Sequence, residues 1–164
     1  MSLYYLNVTL HVLAAFLWLG GMLFLAAVGA PVLRKVEPPA LRAELFGKIG
    51  TQFRLVGWIA IAILIVTGVG NLYFRGQLRW DVLGNGAFWA TPYGHTLAAK
   101  LGTVLAMVLL SVVHDFIIGP LATRVRPGTP EALRLRRWAA LLARINAVIG
   151  IILVAIAVRL TRGA

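Results

Sequence analysis

Residues 4–32 read YYLNVTLHVLAAFLWLGGMLFLAAVGAPV, a run whose only side chain titrating near neutral pH is His11. About 20 predominantly apolar residues cross a bilayer, so this stretch is long enough to span one. Three more runs have the same character, at 55–74, 92–118 and 139–160. In lipid the backbone must satisfy its own amides, which here means helices. The reading is therefore an all-α polytopic membrane protein, with four spans folded as an antiparallel four-helix transmembrane bundle. A soluble domain usually needs more than about 50 residues. With 164 residues, 60% of them hydrophobic, the spans leave room for connections alone, and 1–164 reads as a single membrane domain.

The net charge of +11 sits at the ends of the spans. Connection 34–54 carries Arg34, Lys35, Arg42, Lys48 and Arg54, and connection 121–138 carries Arg124, Arg126, Arg134, Arg136 and Arg137. The middle connection, 75–93, has only Arg75 and Arg79. Basic loops stay in the cytoplasm, so the first and third connections are expected inside and both termini outside a cell (inner) membrane. Membrane lipid accounts for the charge without a nucleic-acid partner. There is no cysteine, which excludes disulfides, thiolate metal sites and covalent haem attachment through Cys-x-x-Cys-His. The N-terminus lacks the positive n-region of a signal peptide, and its apolar run exceeds the usual 7–15 residues, so it reads as a retained span.

Pro38-Pro39 interrupts the first connection, and 40–53 then reads as a short interfacial helix, with Leu41, Leu45, Phe46 and Ile49 at helical spacing. In the middle connection, Trp80, Trp89 and Tyr93 suit an interfacial aromatic belt, and Gly84-Asn85-Gly86 signals a turn. Thr91-Pro92 reads as a helix N-cap followed by proline at the first helical position.

All three histidines lie within the spans. An ionisable residue in hydrocarbon is a functional-site hypothesis by default. His11 falls two turns from the outer end of span one and His95 near the outer end of span three. His114 lies nineteen positions further along span three, roughly 28 Å deeper. The first two are placed to share an outer site. His114, with Asp115 and Arg144, marks a second, inner one, in which Asp115 is placed to pair with Arg144. Span three also aligns Thr96, Lys100, Thr103, Met107, Ser111 and His114 on one face. Span one aligns Asn7, His11, Trp18 and Met22.

Two imidazoles from different membrane helices are the usual way to hold b-type haem. Gly20, Gly21, Ala98, Ala99 and Gly102 would leave room for the ring, and Lys100, Arg75 and Arg79 would meet its propionates. Imidazole also suits copper. Serine or cysteine nucleophile motifs, phosphate-binding loops and paired intramembrane carboxylates are absent from the sequence.

The motifs HVLAAFLWLGG, with His11, Trp18, Gly20 and Gly21, and TPYGHTLAAKL, with Thr91-Pro92-Tyr93-Gly94 and Lys100-Leu101, resemble the copper-resistance D (CopD) family. The order of four spans extends the resemblance to nearly the whole chain. The His-to-Trp spacing of span one and the Lys-Leu of span three are also similar to HemJ-type protoporphyrinogen oxidases, and both groups look like relatives of membrane b-type cytochromes. The resemblance and the residues together imply one haem b near the outer leaflet. His11 and His95 would be its axial ligands, with Trp18, Lys100, Arg75 and Arg79 around it. Electrons would pass to or from a periplasmic or quinone-type partner. A CopD-like copper transport or tolerance component using the same two histidines is the alternative, and a HemJ-like porphyrinogen oxidase built on His11 and Lys100 is a further one. A homo-oligomer fits any of these.

Since the native chain has no cysteine, single-cysteine variants test the orientation. An impermeant thiol reagent applied to intact cells is expected to label Gly86→Cys and to leave Gly128→Cys untouched. The reverse pattern refutes the charge-derived topology.

Overall fold

A computed structural model describes residues 2–125 and 129–162, without the Thr123 side chain. Arg126 and Gly128, named above, lie outside the described residues. Four helices are long and apolar enough to cross a membrane: α1 (Leu3–Leu33), α2 (Pro39–Phe74), α3 (Pro92–Ala122) and α4 (Pro130–Thr161). No strand occurs among the described residues, and the protein is an all-α, multi-pass membrane protein. Two single-turn helices, Trp80–Leu83 and Gly86–Trp89, lie between α2 and α3.

Local sequence accounts for most of the helix ends. Pro39 takes the first position of α2, where its missing N–H costs nothing. Gly76, with φ +68°, lies just beyond that helix, in the left-handed region that glycine enters without a Cβ clash. The Thr91 hydroxyl accepts from the Gly94 N–H at 3.0 Å at the start of α3, as the Thr-Pro pair predicts. Thr129 caps α4 in the same way through Ala132.

The interfacial helix expected at 40–53 is not a separate element. It forms the first part of α2, which runs unbroken through Phe53 into the apolar stretch. No proline stands between Phe53 and Phe74, so nothing removes a backbone hydrogen bond there and the ladder continues. Both α1 and α3 contain a π-helical turn, at Leu25–Gly29 and Val113–Ile118 respectively, which widens the helix without interrupting it.

The chain divides into two compact units, Met1–Asn85 and Gly86–Ala164, and the boundary falls within the Gly84-Asn85-Gly86 turn signal. The first unit is an antiparallel pair of α1 and α2. Asn7 Nδ2 donates to Asn71 Oδ1 at 3.0 Å and to the Thr67 carbonyl at 2.9 Å. One turn along, His11 Nδ1 bonds Thr67 Oγ1 at 2.7 Å. Further down, Trp18 is buried, and a Cβ at Gly57 would lie 3.6 Å from its ring. Outward-facing positions such as Phe16 (77% exposed) and Val66 (71%) are apolar, as a lipid solvent requires.

The second unit pairs α3 with α4. Leu97, Met107, Ala147 and Gly150 are buried in it, and Asn146 Nδ2 donates to Ser111 Oγ at 2.9 Å within that core. Asn146 Oδ1 is buried without a partner among the described residues. An orphaned acceptor costs about 1–3 kcal/mol, so this pair fixes register more than it adds stability. On α4, Gly150 is buried while Ala143 is exposed. The buried face runs through Asn146, Ala147 and Gly150.

Two glycines of α2 give opposite expectations. A Cβ at Gly70 would collide with the Asn7 carboxamide, which its two hydrogen bonds hold in place. Gly70→Ala should therefore destabilise the protein by about 1–3 kcal/mol, as overpacking does. Gly47 has open space where its Cβ would be, and Gly47→Ala should be neutral or stabilising by up to about 1 kcal/mol. Unfolding midpoints in detergent read both, and equal effects would contradict this packing.

Candidate functional site

His11 is the most constrained of the histidines. It sits eight residues into α1, about 12 Å from the helix start, and is half-buried. Thr67, its partner on α2, is buried at 5% exposure. The Thr67 hydroxyl also lies 2.6 Å from the Ile63 carbonyl one turn earlier. A carbonyl can only accept, so the hydroxyl proton goes to Ile63, and Thr67 Oγ1 receives the Nδ1 proton of His11. The His11 tautomer that fits is Nδ1–H, with the lone pair on Nε2. A metal-binding histidine has this arrangement when one ring nitrogen is anchored to an oxygen and the other carries the metal.

The remaining predicted residues of this unit have structural partners. Trp18 packs against Gly57 in the core of the pair. A Cβ at Gly21 would meet the Phe53 ring, so Gly21 serves helix packing rather than clearance for a planar ligand. Arg75 follows α2, its backbone N–H bonded to the Asn71 carbonyl at 3.2 Å. Arg79 grips Asp81 with two hydrogen bonds, of 3.0 and 2.7 Å. That hydrogen bond and the charge beside it hold the Asp81 carboxyl below its ordinary pKa.

In the second unit His95 is exposed one turn into α3. Its ring lines an open-sided cavity of about 410 Å³ with Pro92, Thr96, Ala99, Ile156 and Arg159. That volume is within the range of small-ligand sites, roughly 300–1,000 Å³. Among the described residues no hydrogen bond holds the His95 ring, so its tautomer is not set as that of His11 is. Lys100, one turn beyond Thr96, is half-buried.

The polar stripe of α3 resolves mostly into packing and self-capping. Thr96 and Thr103 donate back to the carbonyls of Pro92 and Ala99, Met107 is 1% exposed, and Ser111 faces Asn146. At its far end His114 Nδ1 lies 2.7 Å from Asp115 Oδ1 within the π turn. The expected bridge from Asp115 to Arg144 does not form among the described residues, where the exposed Arg144 has no ion pair. The carboxylate turns to its own neighbour instead.

Thr67 is the residue that the sequence reading passed over. Its signal lay in spacing: Asn7 and His11 are four apart on one helix, and Thr67 and Asn71 are four apart on the next. An antiparallel pair at one register must bring these couples together.

Comparison with known proteins agrees with this architecture. The family model described as copper resistance protein D matches residues 47–160, well over half of the chain. An uncharacterized protein of Aquifex aeolicus (strain VF5) is 35% identical over 156 residues, which cover 94% of this chain and 92% of the relative. No solved structure matches significantly. Four apolar helices, the family match over α2 to α4 and a relative alike along almost its whole length lead to one conclusion: the chain belongs to the copper resistance protein D (CopD) family.

Proposed function

We propose that the protein is a component of copper tolerance in the inner membrane, in which His11 offers its Nε2 to metal at the outer side. The observation that carries this reading is the bond from His11 Nδ1 to a buried threonine hydroxyl, which leaves the second ring nitrogen in the ligating form. The charge bias of connections 34–54 and 121–138 turns the Asn7 and His11 end of α1 outward. Family membership supports copper as the cargo, and imidazole is a suitable copper donor. With no cysteine in the chain, thiolate does not compete for the ion.

A second reading is favoured by the donor count. No group of three or more His, Cys, Asp or Glu side chains among the described residues is placed to hold a metal ion. Haem brings four nitrogens of its own and asks the protein for axial imidazole alone. His11 offers such an imidazole in the first unit and His95 another in the second, where Arg159, beside His95, and Lys100 are cations suited to propionates. Bound haem would supply a one-electron couple, exchanged with a periplasmic or quinone-type donor. The chain's own contribution is to hold and orient the imidazole.

Purified protein in detergent decides between them. Copper retained in stoichiometric amount by colourless protein, and lost in His11→Ala, supports copper handling. A Soret band that sharpens on reduction, and is lost in His11→Ala or in His95→Ala, supports haem. Either centre should be released on acidification, since neutral imidazole is the ligating form. His114→Ala should leave either signal intact, because His114 lies roughly 28 Å from His95 along α3. Protein that takes up neither metal nor haem overturns both readings.

A further inference from the structure

Ile63, Thr67 and His11 form a short relay whose direction follows from the number of protons available. The Thr67 hydroxyl has one proton and two lone pairs. Two carbonyls of its own helix are within reach, Ile63 at 2.6 Å and Leu64 at 3.4 Å, and neither can donate. The shorter contact takes the proton. His11 Nδ1, at 2.7 Å, then meets a lone pair, and the bond forms only if Nδ1 carries hydrogen. Burial of Thr67 keeps water from offering an alternative partner. At Cε1, the ring carbon between the two nitrogens, a Cβ at Gly68 would lie 3.7 Å away, so the α2 backbone approaches the imidazole closely there.

We infer that Thr67 is a positioning residue which locks His11 in the Nδ1–H tautomer and thereby sets how strongly Nε2 binds metal. Free histidine side chains in water favour the opposite tautomer, with hydrogen on Nε2. A His11 without Thr67 would present its lone pair on Nδ1, the nitrogen turned toward α2. Flipping the proton before each binding event would weaken the site. Oxygen-anchored imidazole is also the more basic donor, and loss of such a partner typically costs 10–100-fold in metal affinity. This inference rests on the reading of His11 as a ligand, but the tautomer itself is measurable without any metal.

The experiment uses the full chain labelled with nitrogen-15 at histidine, metal-free, in detergent above neutral pH. His11→Ala assigns the His11 signals. Wild type is expected to show a protonated Nδ1 and an unprotonated Nε2. Thr67→Ser should keep that pattern and Thr67→Val should move His11 toward Nε2–H. Copper(I) and haem are then titrated separately. Whichever ligand the wild type binds should bind about 10–100-fold more weakly to Thr67→Val, with affinity restored in Thr67→Ser. An Nε2–H tautomer in metal-free wild type overturns the inference outright, and this measurement needs no Thr67 variant to fold. Equal affinity in wild type and Thr67→Val overturns the claim on metal strength. The expected tautomers with no uptake of either probe by wild type would instead sink the ligand reading of His11, while leaving Thr67 in control of its protonation.

Discussion

Hydrocarbon offers no hydrogen bonds, and the first helix pair is organised around that fact. Asn7 and His11 enter the apolar region on α1 and must find partners in the protein. Asn71 and Thr67 supply them from α2. The two couples have the same four-residue spacing, so both rungs close in one antiparallel register. Sliding one helix by a single residue, about 1.5 Å, would break them together. The close approach this demands explains why glycine stands at positions 68 and 70, beneath His11 and Asn7.

The second pair meets the same constraint less completely. Ser111 and Asn146 satisfy each other in a core of Met107, Ala147 and Gly150, and one amide oxygen is left over. Such a pair is a weak contributor of energy in a membrane, where interhelical hydrogen bonds average about 0.6 kcal/mol. Its value is specificity, since no apolar neighbour could replace it without losing the register it marks. His95, by contrast, has no ring hydrogen bond among the described residues and opens onto a cavity shared with Arg159. The two imidazoles expected to act alike therefore differ in how firmly the protein sets them.

Most of the fold was legible because lipid simplifies the code. Four apolar runs, the Thr91-Pro92 cap and the glycine turn at 84–86 each have one physical meaning. Residues 40–53 misled because amphipathic spacing describes a face and says nothing about whether the next residue continues the helix. The polar stripe of α3 misled for a related reason. Threonine in a helix satisfies itself through the preceding turn, so Thr96 and Thr103 need no ligand. Thr67 went unnoticed for the opposite cause: it too bonds its own backbone, yet keeps a lone pair for His11. Deciding between those cases requires the register of two helices, which periodicity along one helix does not contain.

The interhelical side-chain hydrogen bonds described above each join two helices that are neighbours in sequence. Residues 34–38 join α1 to α2, and a handful of residues joins α3 to α4. As the chain emerges from the ribosome, Asn7 and His11 wait only for α2, and Ser111 only for α4. Each hairpin can thus leave the insertion machinery with these interhelical hydrogen bonds made. The bonds of Asn7 and His11 to α2 do not wait for the second hairpin to be translated.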